Sequence, residues 1–312
     1  MSSVAVVGAG AWGTALALHA HRAGLGVTLW SRGALAGRIS PHLPGFGLPE
    51  GIVLTTALPQ AGAMVLAVPV QHLRGVAAGL SGDGPLLVCA KGVEAGTLRL
   101  PLEILAEVQP GRAAAVLSGP NFAHEVAAGL PAAAVIACSD PALRGAFIAM
   151  LGGGALRLYG NDDPVGAQLG GAAKNVIAIA AGAVMGAGLG ENARAALVTR
   201  GLAELGRLAA ALGGRAETVA GLSGLGDLLL TCTGVSSRNF RCGFALGRGE
   251  SVAAAAGAAG GVVEGVATAA ALVARAQGVD VPVCSAVADL LAGRTTLGDA
   301  IATLMARPAR DE

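Results

Sequence analysis

Lysine is nearly absent from this 312-residue chain: of its 21 basic residues 19 are arginine, and Lys91 and Lys174 are the exceptions. A guanidinium keeps its proton inside a protein whereas a desolvated ammonium can release one, so each lysine marks a place where arginine would not serve. Tyrosine occurs once, at Tyr159, and no Tyr-x-x-x-Lys pair exists. No histidine follows His124, which removes a His/Asp acid–base pair contributed by the C-terminal half. Five cysteines without Cys-x-x-Cys spacing exclude a disulfide framework and a zinc site; they read as small core residues, and no metal is expected. With 13% charged residues and a net charge of +1, the chain has neither a basic surface for nucleic acid nor an acidic tail, so its partner should be small. The long apolar runs are interrupted, as Lys174 and Asn175 interrupt the run up to Leu189, so they read as buried helix and no membrane span is expected. The N-terminus enters a strand almost at once, leaving no room for a targeting segment, which points to the cytoplasm.

What is present is organised around VAVVGAGAWGTALA, residues 4–17. A valine-rich strand runs into Gly8, Gly10 and Gly13, and a helix opens behind them. Gly8 permits the tight turn, Gly10 lets backbone approach a ligand, and Gly13 lets the helix pack on its strand, so a pyrophosphate can rest on the helix N-terminus. Residues 27–30 give a second strand ending at Ser31 and Arg32. A dinucleotide fold reads the ribose here. Arginine in place of a carboxylate means that NADP is at least tolerated, unless Arg32 is only a solvated loop residue. Residues 33–62 are rich in proline and glycine and read as a connection without strong periodicity.

Short apolar runs at 64–68, 85–90, 113–117, 132–137 and 155–159 bring the expected strands to seven, with a helix over 141–151. Beyond residue 160 helical patterns take over at 165–189, 192–212 and 266–277. Leu202, Leu205, Leu208 and Leu212 form one buried stripe. The expected architecture is α/β, a Rossmann-type doubly wound sheet (1–160) followed by an all-α domain (161–312). The low-complexity segment 250–261 is given no site.

Lys174, in GGAAKN, is placed at the start of an apolar helix; burial without a fixed counter-ion would bring its pKa towards the working range. Lys91 closes a strand at the ligand-facing edge of the sheet. In residues 221–249, Gly224 and Gly226 would bring backbone close to a ligand, and Asp227 could orient a hydroxyl or the lysine. Ser237, Arg238 and Asn239 combine a hydroxyl, a guanidinium and an amide suited to phosphate; a turn with a solvated arginine is the plainer alternative.

GAGAWGTALA, AKGVE, LSGPNFAHEVAAGLPAA, GGAAKNVIAIAAG, NARAALVTRGLAE, GLSGLGDLLLTCT, SSRN and VVEG together, in this order, resemble bacterial NAD(P)-dependent glycerol-3-phosphate dehydrogenase. The resemblance covers most of the chain. It implies reversible reduction of dihydroxyacetone phosphate to sn-glycerol 3-phosphate for phospholipid synthesis, NAD or NADP as cofactor, and a homodimer. Lys174 would match the proton donor and acceptor, with Asp227 beside it. Ser237, Arg238 and Asn239 would match the phosphate grip, Arg238 lying also near the cofactor. Lys91, Gly119 and Asn121 would line the pocket. Ala11, Trp12, Arg32, Ala123, Val262 and Glu264 would match cofactor positions beside the glycine turn and Lys91. Asn121 and Ala11 stand where the family more often has Ser or Thr. Residues 33–50 are shorter than usual and lack its Asn and Tyr-Leu-Pro pattern, which bears on the choice between NAD and NADP. The alternatives are a β-hydroxyacid-type dehydrogenase with a catalytic lysine, presenting a carboxylate to Arg238, and a non-catalytic nucleotide-sensing module.

Overall fold

Strand β1 (Ser3–Val7) is SVAVV, and four of its five residues are buried. Such β-branched runs suit strands covered on both faces, the usual state of a parallel sheet. β2 (Gly26–Trp30), β3 (Ile52–Thr55), β4 (Met64–Leu66), β5 (Leu86–Val88), β6 (Ala114–Ser118), β7 (Ala132–Ala137) and β8 (Leu156–Asn161) complete one sheet in the computed structural model, which describes residues 3–307. Its order is β3-β2-β1-β4-β5-β6-β7-β8. Pairing is parallel from β3 through β6, β7 runs antiparallel to β6, and β8 is parallel to β7. Chain order reverses between β1 and β4, where doubly wound sheets open a crevice at their strand carboxyl ends.

The sheet has eight strands where the sequence suggested seven. β3 lies within 33–62, the stretch expected to hold only a connection. It is an edge strand whose Val53 is 59% exposed, so IVLT shows little inward–outward contrast between Gly51 and Pro59.

Helices α1 (Ala11–Arg22), α2 (Val70–Ala78), α3 (Pro101–Val108), α4 (Ala123–Ala128) and α5 (Pro141–Leu151) accompany the sheet. The second lobe comprises α6 (Pro164–Gly186), α7 (Gly190–Ala211), α8 (Ala216–Ala220), α9 (Asp227–Cys232), α10 (Arg238–Gly247), α11 (Val252–Ala258), α12 (Glu264–Arg275), α13 (Pro282–Leu291) and α14 (Leu297–Met305). The low-complexity segment supplies α11, capped by Ser251, whose hydroxyl accepts from Ala254 N at 3.3 Å.

Helix α6 is the axis of the second lobe. Asp163 caps it, accepting from Gly166 N at 2.8 Å, and Pro164 occupies its first position, where a missing N–H costs nothing. Apolar on all sides, it is long enough to cross a membrane, yet 83% of its apolar window is buried in the fold: it is a core helix. Glycines bring α10 against it. A methyl on Gly182 or Gly186 would collide with the carbonyl of Phe240 or Phe244, and one on Gly243 or Gly247 with that of Ile179 or Ala183. The two backbones touch without side chains between them.

Candidate active site

At the crevice, Gly8 adopts φ +116, a left-handed conformation that a side chain would strain. A Cβ on Gly13 would collide with Gly8 O, so this glycine is required for α1 to leave β1 so sharply, whereas the Cβ position of Gly10 is open space. The turn at Gly8 and the packing at Gly13 are those read from the sequence. Ala11 and Trp12 open α1, and Ala123 opens α4. Arg32 stands exposed just past β2, with no side-chain bond among the described residues. The turn fits a dinucleotide: its open backbone would receive the pyrophosphate at the α1 N-terminus, and Arg32 would meet the adenosine-side ribose or its 2′-phosphate.

The two lysines converge. Lys91 follows β5 and donates to Gly119 O at 3.2 Å and to Asp227 Oδ2 at 2.5 Å, while Lys174 donates to Asp227 Oδ1. One fully buried carboxylate thus bridges two ammonium groups, one from each lobe. Burial lowers the Lys174 pKa to about 8; the Asp227 carboxylate opposes this, and the Lys91 ammonium adds to it. Two sequence expectations are corrected here. Lys174 was read as buried without a fixed counter-ion, yet it has one in Asp227, the residue the sequence also offered as orienting the lysine, because a bare ammonium in this core would be unstable. It also lies well inside α6, which begins ten residues earlier at Pro164.

Asp227 is aimed by a π-helical turn, Leu222–Gly226, that runs directly into α9. Gly224 and Gly226 were expected to bring backbone near a ligand. A Cβ on Gly224 would collide with Val219 O, so packing requires this glycine, whereas a Cβ on Gly226 would make only ordinary contact with Pro120 and Leu222. Thr231 donates to Asp227 O at 2.6 Å.

Asn239 and Ser237 are committed in the protein itself. Ser237 Oγ caps α10, accepting from Phe240 N at 3.2 Å. Asn239 donates to Asn175 Oδ1 at 2.8 Å and accepts from Gly265 N at 2.9 Å; Asn175 donates to Glu264 Oε2 at 3.1 Å. Of the expected trio, Arg238 alone is exposed and free of side-chain bonds among the described residues, with Gly261 (φ +131) packed over its guanidinium. Burial raises the Glu264 pKa, against the pull of Arg238, Lys174 and Lys91. Val262, 52% exposed, precedes this group. Asn175, which links Asn239 to Glu264, was given no part in the site by the sequence; its signal there was adjacency to Lys174 inside an apolar helix.

Gly119, at φ +136, has no room for a Cβ beside Ala134, and its carbonyl is the one Lys91 holds. Asn121 donates to Ala133 O at 3.0 Å. Its Oδ1 and the hydroxyls of Ser118 and Ser223 are buried without partners among the described residues, which leaves hydrogen-bonding capacity beside the cluster. The five cysteines are buried and free.

Comparison with known proteins agrees in both lobes. Residues 3–144 match the family model for the N-terminus of NAD-dependent glycerol-3-phosphate dehydrogenase, and residues 163–302 the model for its C-terminus. The chain is 57% identical over 317 residues to glycerol-3-phosphate dehydrogenase [NAD(P)+] of Acidiphilium cryptum, covering 99% of this chain and 98% of that protein. It is 50% identical over 318 residues to the Gluconobacter oxydans protein of the same name, with the same coverage. The crystal structure of glycerol-3-phosphate dehydrogenase from Coxiella burnetii superposes with a TM-score of 0.93 at 37% identity, covering 98% of this chain and 99% of that one. A glycine turn at the sheet crevice, a buried lysine across from it and two matching halves lead to one conclusion: this chain belongs to the NAD-dependent glycerol-3-phosphate dehydrogenase family.

Proposed function

We propose that this chain reversibly reduces dihydroxyacetone phosphate to sn-glycerol 3-phosphate with NADH or NADPH, supplying glycerophospholipid synthesis. The observation that carries the reading is the Lys174–Asp227–Lys91 cluster, with Lys174 and Asp227 buried, at the sheet edge where the glycine turn opens. Gly8, Gly10, Ala11, Trp12 and Gly13 would hold the nicotinamide dinucleotide, which would supply or take up the hydride. Arg238, with the first N–H groups of α10, receives the substrate phosphate: a free guanidinium and a helix N-terminus both favour a dianion. In reduction, Lys174 as ammonium gives its proton to the carbonyl oxygen; in oxidation, as neutral amine, it accepts the hydroxyl proton. Asp227 holds the amine in place and supports its charged form. Lys91 and the unpaired oxygens near Asn121 face the substrate hydroxyls. The reading includes a cytoplasmic homodimer, the oligomer being read by light scattering in solution.

The test is loss of reduced-nicotinamide absorbance with dihydroxyacetone phosphate, run in parallel with NADH and NADPH. A panel of unphosphorylated dihydroxyacetone and β-keto acids accompanies it. Turnover confined to the phosphorylated ketone supports the reading. Preference for a carboxylate substrate would replace it with a β-hydroxyacid dehydrogenase, and no turnover at all would leave a nucleotide-sensing module.

A further inference from the structure

Lys91 and Asp227 come from different lobes, so their contact requires the segment that carries Lys91 to be fixed against the helical lobe. Between β5 and α3 that segment, residues 91–100, contains no strand or helix. Helix α12 runs along it. Near its start, Thr268 Oγ1 fills the space where Gly92 (φ +132) would carry a Cβ. In its last turn, Arg275 donates to Leu98 O at 2.6 Å and forks onto Glu103, at 2.8 Å and 2.7 Å. Glu103 in turn accepts from Leu100 N at 2.7 Å. Leu98, whose carbonyl Arg275 holds, sits at φ +60, a conformation that a leucine keeps only when its surroundings enforce it. On the opposite side, Glu94 is held by Arg74 at 3.0 Å and 2.8 Å and by Thr97, while Gln71 donates to Val93 O at 2.9 Å.

We propose that Arg275 is a positioning residue: by tying residues 91–100 to α12, it sets Lys91 against Asp227. It stands eleven residues from Glu264, about 16 Å along the helix, too far to touch substrate itself. The proposal rests on the functional reading only where turnover is measured.

Because Lys91 and Lys174 are the chain's only lysines, limited reductive methylation with formaldehyde and cyanoborohydride, read by peptide mass spectrometry, compares them directly. In Arg275→Gln the ratio of Lys91 to Lys174 labelling should rise about threefold or more, with a smaller rise in Arg275→Lys, which keeps the charge but loses the fork. KM for dihydroxyacetone phosphate should rise about tenfold while kcat stays within about twofold, the pattern of lost uniform binding. An unchanged ratio in a variant that still binds NADPH overturns the proposal, as does an equal rise at both lysines, which would mean general loosening. Should Arg275→Gln not fold, Glu103→Gln, which keeps the Leu98 contact, is judged by the same ratio. A parent enzyme inert towards dihydroxyacetone phosphate would sink the functional reading, and the methylation ratio would still decide the role of Arg275.

Discussion

Asp227→Asn perturbs the one negative charge shared by both lysines. In the parent, Lys174 has a pKa of about 8, reached because burial outweighs the support of the Asp227 carboxylate. The amide keeps the shape and a hydrogen-bond acceptor but removes that support, and the Lys91 ammonium then pushes Lys174 further down with less opposition; Glu264 remains as a partial brake. A neighbouring carboxylate is worth about one to three pKa units, so a fall of about 1.5 is the central expectation. Reduction needs the ammonium form, so its rate is full below the pKa and drops about tenfold per unit above it; oxidation needs the amine and runs the other way. At pH 8 the ammonium fraction would go from about one half to about 3%, a loss of about fifteenfold in reduction from protonation alone. The assay is kcat/KM for dihydroxyacetone phosphate across pH at saturating NADPH, with the reverse reaction alongside. Both midpoints should move to lower pH together. A midpoint that stays near the parent value, or moves upward, would refute the assignment of Lys174 as the titrating acid.

Replacing Lys174 by alanine should cost about 10²- to 10⁴-fold in turnover in both directions while NADPH still binds, measured by quenching of protein fluorescence. Near-normal turnover would remove Lys174 from the chemistry. Arg238→Ala should raise KM for the phosphorylated ketone by about 10- to 100-fold, the worth of a charge-assisted contact, with a smaller change in kcat; an equal effect on unphosphorylated dihydroxyacetone would contradict a phosphate role. Gly243→Ala drives a methyl into Ile179 O and should cost about 1–3 kcal/mol, lowering the calorimetric Tm by several degrees. Gly75→Ala, on the exposed face of α2 with open space around it, should leave Tm unchanged or raise it slightly, so equal behaviour of the two would discredit the packing argument.

Much of this site can be read from residues alone, for physical reasons. The glycine turn is legible because three separate steric demands fall at fixed spacing, and Gly8 and Gly13 meet two of them in the fold. Lys174 is legible because lysine is so scarce in this chain, and its side chain is buried against Asp227. The pairing of Lys174 with Asp227 was open to the sequence only as one of two roles for Asp227 and through the resemblance; that Lys91 shares the same carboxylate was not legible, since 136 residues separate Lys91 from Asp227 and only the meeting of the two lobes brings them together. Asn239 was grouped with Ser237 and Arg238 by its place in the sequence; its bond to Asn175, sixty-four residues away, could not be read from that company. β3 was hidden by its own exposure. The glycines of α6 and α10 count against helix by propensity, yet in pairs four residues apart they form a flat face that another backbone can meet.

That meeting has a consequence for what the enzyme can accept. Lys174 rides on α6 and Arg238 opens α10, so the distance between the helices that carry the proposed proton donor and the proposed anion grip is set by main chain resting on main chain. The two helices have no side chains between them with which to shift apart, so only the reach of the lysine and the arginine themselves can vary. On the proposed function, a ketone with its phosphate one carbon further away should therefore be a poorer substrate, since the added length would have to be met by those two side chains alone.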